Sequence, residues 1–244
     1  MQSIAHSFPC GLVQPEGTFR FAADALLLAA FACGQDAERA LDLGTGCGVV
    51  ALGLALRFTS LTCLGLERES ALVDAARVNA ASLGLGGRVS FVEGDLGDMD
   101  LLERTGRESC GLVTANPPYR IEKSGRPPVG AVRKKAVQGP QGLLVDFVRS
   151  ASYLLRHHGR FACIFTPERL VELLLLLRAA RLEPRRMRAV HARPGGRALR
   201  VLLEARKNAG PDMRIEEPLV LHAAQKGPDL SREALLFCPW LSQN

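Results

Sequence analysis

Four consecutive residues, Asn116-Pro117-Pro118-Tyr119, combine groups that could hold and orient a flat, nitrogen-containing substrate. They follow an apolar run, residues 111–115, which is typical of a buried strand that ends where prolines cannot donate to a β-ladder. An isolated Asn-Pro dipeptide is most often only a turn at a strand end. Here the rigid loop also presents an amide that can accept a hydrogen bond and a phenol ring that can stack on a planar group.

A glycine-rich stretch upstream, Asp42-Leu43-Gly44-Thr45-Gly46-Cys47-Gly48, lies where a predicted strand passes into a predicted helix. Glycines at such a junction let the backbone turn tightly and approach a ligand closely, as in nucleotide sites at the carboxyl ends of parallel strands. The Gly-x-Gly-x-Gly spacing differs from the Gly-x-Gly-x-x-Gly of dinucleotide sites, which argues against NAD.

Acidic residues mark the ends of the next two predicted strands. Glu67 ends the second strand, where a carboxylate could accept hydrogen bonds from two ribose hydroxyls. Asp95 ends the third, where a carboxylate could accept from an adenine amino group while Leu96 backs the ring. One such acid alone is more often a solvated strand-end residue, but Asp42, Glu67 and Asp95 at three successive strand ends would converge on one crevice.

The elements that must position these groups alternate along the chain. Predicted strands cover residues 40–43, 61–66, 89–92, 111–115 and 160–165, and predicted helices cover 22–33, 49–57, 69–83, 142–156 and 166–180. Residues 187–192 and 198–205 form a predicted hairpin around the turn 193–197. This alternation predicts an α/β fold, a doubly wound and mostly parallel seven-stranded sheet with an antiparallel C-terminal hairpin.

Composition narrows the class of protein. With 244 residues, of which 47% are apolar, the chain can bury a full core, and its net charge of +6 gives weak support for a polyanionic partner. Seven cysteines without a Cys-x-x-Cys pair indicate reduced side chains in a cytosolic protein rather than a zinc site or disulfides. The sequence shows no signal-peptide pattern and no run as long as a membrane span. We therefore expect no metal, no membrane partner and a cytoplasmic location.

Taken together, these motifs resemble class I methyltransferases that use S-adenosylmethionine, and Asn-Pro-Pro-Tyr resembles the motif of enzymes that methylate a planar amino or amide nitrogen. More narrowly, residues 17–28 (GTFRFAADALLL) ahead of the glycine loop resemble the opening of bacterial tRNA1(Val) adenine-N6-methyltransferases. The tail, residues 200–205 (RVLLEA) and 217–222 (EPLVLH), resembles the same family. The resemblance covers nearly the whole chain.

The resemblance implies a methyl donor, an acceptor and a role for each motif residue. It implies S-adenosylmethionine as cofactor and, as acceptor, an adenine N6 in RNA, namely in tRNA near the anticodon. It implies an N-terminal extension with one helix, packed on the core, over residues 1–38 and a class I methyltransferase domain over 39–244, and leaves monomer and homodimer open. The cofactor-binding residues that match are Asp42, Gly44, Gly46, Gly48, Glu67, Asp95, Leu96 and Asn116, and the catalytic residues are Asn116, Pro117, Pro118 and Tyr119.

The chemistry of the loop can be derived from its residues. An adenine amine is a poor nucleophile because its lone pair is delocalised into the ring. If the Asn116 side-chain oxygen and the Pro117 carbonyl each accept an N–H, the lone pair points toward the methyl group. The positive sulfonium charge disappears on transfer, so no strong base is required and positioning carries most of the catalysis. Tyr119 would stack on the base.

Two basic clusters are candidates for RNA contacts. One flanks the catalytic loop and consists of Lys123, Arg126, Arg133, Lys134 and Lys135. The other lies around the closing hairpin and consists of Arg185, Arg186, Arg188, Arg193, Arg197 and Arg200. Each could be a solvated face, or could bind the phosphates around an unpaired RNA loop whose bases are splayed out.

Other functions share parts of this pattern. A glutamine-N5 methyltransferase acting on release factors has the same loop, because an amide nitrogen poses the same chemical problem, but carries a helical domain of about 70 residues ahead of the glycine loop. A ribosomal RNA guanine-N2 enzyme usually has phenylalanine in place of Tyr119, and DNA adenine enzymes usually add a recognition domain. A non-catalytic RNA-binding scaffold with the same fold is the alternative from a different class.

Overall fold

The computed structural model describes residues 8–18, 20–33, 37–118 and 140–243. Within these ranges nine strands form one sheet. They are β1 (Arg39–Leu43), β2 (Thr62–Glu67), β3 (Val89–Glu93), β4 (Cys110–Ala115), β5 (Leu155–Phe165), β6 (Leu182–His191), β7 (Ala198–Lys207), β8 (Arg214–Ile215) and β9 (Leu219–Val220). Their order is β3-β2-β1-β4-β5-β7-β6-β8, and β9 also pairs with β6. Strands β1 to β5 run parallel, and β7 runs antiparallel to both of its neighbours.

Helices cover both faces of this sheet. The α-helices in the described ranges are α1 (Ala23–Phe31), α2 (Val49–Arg57), α3 (Ser70–Ser82), α4 (Met99–Thr105), α5 (Pro140–Leu154), α6 (Leu170–Ala179) and α7 (Arg232–Phe237). Neighbouring residues of one strand point to opposite faces, so Ala40 and Leu112 pack with α1 to α3, whereas Leu41 and Val113 pack with α5 and α6. This is the predicted doubly wound α/β fold with its antiparallel C-terminal hairpin. The described residues form nine strands rather than the predicted seven, because the short strands β8 and β9 also pair with β6.

The strand register brings the carboxyl ends of the central strands to one edge. Leu43, the last residue of β1, lies opposite Leu66 of β2 and Ala115 of β4. Glu67, the last residue of β2, lies opposite Glu93 at the end of β3. The loops that follow all four strands therefore meet along one edge, which we call the carboxyl edge and which holds the sequence motifs.

The helix α4 and the first half of β5 were not predicted. Asp98 is the N-cap residue of α4, and its side chain accepts hydrogen bonds from the backbone N–H groups of Asp100 (3.0 Å) and Leu101 (3.3 Å). Because β3 and β4 are parallel, the chain needs a crossover at this point. Strand β5 begins at Leu155, which pairs with Cys110, so the predicted helix over residues 142–156 ends earlier, at Leu154.

The helix α1 shares one hydrophobic core with α2 and α3. Arginines bind the carbonyl groups at its carboxyl end: Arg57 Nη1 donates to Ala30 (2.8 Å) and Ala32 (3.1 Å), and Arg186 Nη2 donates to Phe31 (2.7 Å). A separate extension over residues 1–38 stays a prediction. No helix in the described part of the chain is long and apolar enough to cross a membrane.

Candidate functional site at the carboxyl edge

The glycine loop after β1 has a backbone that side chains would disturb. Gly44, Gly46 and Gly48 have φ angles of 63°, 58° and 92°, in the left-handed region that favours glycine. Gly48 precedes α2, and a Cβ atom there would come within 2.8 Å of Cζ of Phe91. Among the described residues, no atom lies within 4 Å of a Cβ atom placed on Gly46, so these residues leave room for a ligand to approach its backbone.

The Asp42 carboxyl group is buried beneath this loop, with 2% of the residue exposed. Thr114 Oγ1 on the neighbouring strand donates a hydrogen bond of 2.7 Å to Asp42 Oδ1. Burial raises the pKa of Asp42 from 3.8 to about 7; the hydrogen bond from the Thr114 hydroxyl opposes this change, and the nearby charge of Glu67 adds to it. Within the described residues, Asp42 Oδ2 and Thr45 Oγ1 are buried and have no hydrogen-bond partner.

Glu67 lies at the end of β2 and forms a hydrogen bond with the glycine loop. Its Oε2 accepts a hydrogen bond from the backbone N–H of Gly46 (3.0 Å), and its Oε1 accepts from the N–H groups of Arg68 (2.8 Å) and Glu69 (3.1 Å). A carboxylate oxygen can accept more than one hydrogen bond. The half-buried Glu67 side chain can therefore accept a further hydrogen bond from a ligand hydroxyl.

The loop after β3 exposes one acidic side chain and buries the next residue. Asp95 is exposed and lies two residues beyond the end of β3; its Oδ1 accepts from the N–H of Gly97 at 2.7 Å. Leu96 is buried, and its carbonyl accepts a hydrogen bond of 3.2 Å from Ser150 Oγ on α5. A buried apolar residue thus follows an exposed acid at this edge, and the contact of Leu96 with a ligand ring stays a prediction.

The loop after β4 begins directly beside the glycine loop, because β4 pairs with β1 up to Ala115. Asn116 is half-buried, Pro117 is buried and Pro118 is exposed. Tyr119 lies outside the described residues, and so do the predicted RNA-binding residues Lys123, Arg126, Arg133, Lys134 and Lys135. The structure thus brings Asn116 and Pro117 to the same edge as Asp42, Glu67 and Asp95.

The arginines around the closing hairpin mostly bind acceptors of the chain itself. The ion pairs among the described residues include Arg185–Asp212, Arg186–Glu204, Arg186–Glu216, Arg188–Glu233 and Arg200–Asp24. Arg193 donates to the carbonyls of Ala224 (2.7 Å) and Gly227 (2.9 Å), and Arg197 is exposed. We therefore assign most of this cluster to stabilising the C-terminal part of the fold rather than to phosphate binding.

Two residues at this edge were not found from the sequence. Thr114 lies inside a run typical of a buried strand, and Asn79 lies in the last turn of α3, where no neighbouring residue indicates a special role. Thr114 holds Asp42, and Asn79 donates a hydrogen bond of 3.0 Å to the carbonyl of Cys47 in the glycine loop. Only the pattern of side chains across the sheet and between helix and loop reveals them.

The donors and acceptors at this edge fit S-adenosylmethionine. Buried oxygens without partners, Asp42 Oδ2 and Thr45 Oγ1, could accept from donor groups of a polar ligand, while Glu67 can accept from hydroxyls. The glycine backbone allows close approach, and the buried Leu96 can lie against a ring. Within the described residues, no group of histidine, cysteine or acidic side chains could hold a metal ion.

The comparison with protein families agrees with this description. The family model described as a methyltransferase domain matches residues 35–164, so the chain is a methyltransferase by family. A predicted O-methyltransferase from Agrobacterium tumefaciens has the same fold, with a TM-score of 0.71 and 23% identity, covering 89% of this chain and 96% of that one.

Similarity to curated relatives identifies a narrower family within the methyltransferases. The tRNA1(Val) (adenine(37)-N6)-methyltransferase of Porphyromonas gingivalis is 33% identical over 192 residues, covering 77% of this chain and 74% of the relative. The chain therefore belongs to the tRNA1(Val) (adenine(37)-N6)-methyltransferase family. A release factor glutamine methyltransferase from Chlorobaculum tepidum is 34% identical, but the match covers only 34% of this chain and 28% of that protein.

Proposed function

We propose that this protein transfers the methyl group of S-adenosylmethionine to the exocyclic N6 of an adenine in tRNA, near the anticodon. The observation that carries the proposal is the position of Asn116 and Pro117, which follow β4 directly beside the glycine loop of β1. An amide and a carbonyl acceptor therefore lie next to the place where a methyl donor fits. The name of the relative from Porphyromonas gingivalis supports tRNA adenine as the acceptor.

Each residue at the carboxyl edge has a role in holding the donor. We assign the glycine loop and Asp42 to the part of the cofactor nearest the methyl group, Glu67 to the ribose and Asp95 with Leu96 to the adenine. Bound S-adenosylmethionine supplies a methyl group activated by a positively charged sulfur. Asn116 lies at the meeting point of donor and acceptor, because β4 is the neighbour of β1.

The acceptor amine is held rather than deprotonated. The Asn116 side-chain oxygen and the Pro117 carbonyl accept its two N–H groups, which turns the nitrogen lone pair toward the donor. Proline on both following positions stiffens the loop, so little reorganisation is needed when the acceptor arrives. Catalysis by this arrangement depends on positioning and on hydrogen-bond acceptors that are already in place.

Residues outside the described ranges complete the proposal. Tyr119 stacks on the target base, an interaction worth about 1–3 kcal/mol per base in proteins that bind single strands. The basic residues Lys123, Arg126, Arg133, Lys134 and Lys135 bind phosphates around the unpaired loop that presents the adenine. A tRNA substrate implies action in the cytoplasm, as monomer or homodimer.

The test is a methyl-transfer assay with labelled S-adenosylmethionine against total tRNA, ribosomal RNA and a release factor. We expect label in tRNA, recovered as N6-methyladenosine after digestion to nucleosides. The variant Asn116→Ala is the control for contaminating activity and should give little label. Label in ribosomal RNA as N2-methylguanosine, with none in tRNA, would contradict the proposal.

A second candidate is methylation of a glutamine amide in a release factor. The partial match to the Chlorobaculum tepidum enzyme favours it, and an amide nitrogen poses the same chemical problem as an adenine amine. Label in the release factor alone would establish this candidate instead. If no acceptor is labelled, and millimolar S-adenosylmethionine does not raise the melting temperature, the protein is a non-catalytic scaffold with this fold.

A further inference from the structure

The side chain of Asn79 ties the N-terminal segment, residues 8–18, to the glycine loop. Asn79 is fully buried on α3. Its Oδ1 accepts a hydrogen bond of 2.7 Å from the backbone N–H of Val13. Its Nδ2 donates to the carbonyl of Val13 (3.1 Å) and to the carbonyl of Cys47 (3.0 Å). One amide thus makes three hydrogen bonds and satisfies both backbone groups of a single residue in the segment.

This bridge places Gln14 beside the glycine loop. The carbonyls of Val13 and Cys47 both accept from the same nitrogen, so they are separated by no more than the sum of two hydrogen-bond lengths. Gln14 follows Val13 directly, and Cys47 lies between Gly46 and Gly48. The Gln14 Oε1 atom is buried and has no hydrogen-bond partner among the described residues. A buried amide oxygen without a donor is costly, which points to a ligand that supplies one.

A second contact of this part of the chain holds Asp24 near the carboxyl edge. Asp24, in the first turn of α1, accepts a hydrogen bond of 2.7 Å from Arg200 Nε. Arg200 lies near the start of β7, next to Val201, which pairs with Phe165 at the carboxyl end of β5. Val13 therefore lies near the glycine loop after β1, and Asp24 lies near the carboxyl end of β5. Strand β4, which Asn116 follows, lies between β1 and β5 in the sheet.

We propose that Gln14 is a further cofactor-binding residue, whose Oε1 accepts a hydrogen bond from the ammonium group at the amino-acid end of S-adenosylmethionine, and that Asn79 is the residue that positions it. The inference rests on the proposed function, because it concerns the same cofactor. Oε1 can only accept, so the partner must be a donor. Of the cofactor's donors, the ribose hydroxyls are assigned to Glu67 and the adenine amine to Asp95, which leaves the ammonium. An ammonium group has three N–H donors, so Gln14 Oε1 can accept from it together with the Asp42 carboxyl group beside the glycine loop.

The test compares two ligands in titration calorimetry. S-adenosylhomocysteine carries the ammonium group, and 5′-methylthioadenosine lacks the whole amino-acid end. We expect Gln14→Ala to weaken S-adenosylhomocysteine binding by about tenfold or more, since a hydrogen bond to a charged group is lost. Binding of 5′-methylthioadenosine should stay unchanged. The matched control is Glu16→Ala, an exposed residue of the same segment, which should leave both affinities as in the wild type.

Each other result overturns the inference. Equal affinity of wild type and Gln14→Ala for S-adenosylhomocysteine would show that Gln14 makes no contact. Equal weakening of both ligands would place the contact on the adenosine part. If the wild type binds neither ligand, the proposed function itself fails, which separates the two failures.

Asn79 is tested through its effect on Gln14. Asn79→Ala should weaken S-adenosylhomocysteine binding, and adding Gln14→Ala to it should cause little further loss, because the two residues act through one contact. Ser82→Ala is the control, because the Ser82 hydroxyl donates to the Asn79 backbone carbonyl on the same helix and not to its side chain. Fully additive losses, or a wild-type affinity in folded Asn79→Ala, would refute the positioning role. If Asn79→Ala does not fold, Asn79→Asp in the same cycle serves instead.

Discussion

The buried Asp42 should make the protein less stable as the pH rises, and Asp42→Asn should remove that effect. The pKa of Asp42 is raised by burial to about 7 from its ordinary value of 3.8. A folded state with a raised carboxyl pKa binds a proton more tightly than the unfolded state. Its stabilising contribution is complete below pH 3.8 and is lost as the pH rises to about 7.

The size of the effect follows from the two pKa values. One pH unit corresponds to about 1.4 kcal/mol, so the full loss between pH 3 and pH 8 is about 4 kcal/mol, of which about 2–3 kcal/mol falls between pH 5 and pH 8. In Asp42→Asn the amide oxygen can still accept the hydrogen bond from Thr114, but the buried NH₂ group costs about 1–3 kcal/mol at every pH. The unfolding free energy of the variant should therefore rise relative to that of the wild type as the pH rises.

The assay is urea denaturation of both proteins without ligand at pH 5 and pH 8. We expect the difference in unfolding free energy, variant minus wild type, to increase by about 2–3 kcal/mol between the two pH values. Taking the difference cancels the titration of every other group. Asp74→Asn, a change at an exposed carboxyl on α3, is the control and should show no such trend. A difference that is constant with pH would mean that Asp42 is already ionised in the folded protein at pH 5, and would refute the reasoning.

Three further outcomes can be checked. Asn116→Ala should bind the cofactor as the wild type does but lower the single-turnover methyl-transfer rate about a hundredfold or more, because it removes positioning; near-normal rates would refute its role. Gly48→Ala should lose roughly 1–3 kcal/mol of unfolding free energy, because its Cβ atom would lie 2.8 Å from Phe91. Gly84→Ala is the control and should lose less, because Gly84 also has a positive φ but a Cβ atom there would contact no described residue. Equal losses of the two variants in urea denaturation would contradict this. The dissociation constant for tRNA should rise at least about tenfold between 50 and 200 mM salt, and an unchanged value would count against phosphate contacts.

Much of the fold could be predicted because its signals are local. The helix α2 spans the predicted residues 49–57, and the strands β1 to β4 lie within one or two residues of their predicted bounds. Apolar runs, glycine junctions and prolines act over a few residues, so the chain itself carries them. The glycine loop, Glu67 and the Asn116-Pro117 pair could be located for the same reason, since each directly ends a predictable strand.

The partners of these residues were decided only by the tertiary structure. Thr114 donates to Asp42 across 72 positions of sequence, and Asn79 binds Val13 across 66. In sequence, Thr114 and Asn79 look like an ordinary strand threonine and an ordinary helix asparagine. Their contacts could not be predicted, because these depend on which strands pair, on the register of that pairing and on where a loop crosses a helix. The sequence alone thus determined which groups could do the chemistry. Packing over long separations decided that Asp42 is buried, that hairpin arginines bind acids, and that Gln14 lies beside the glycine loop.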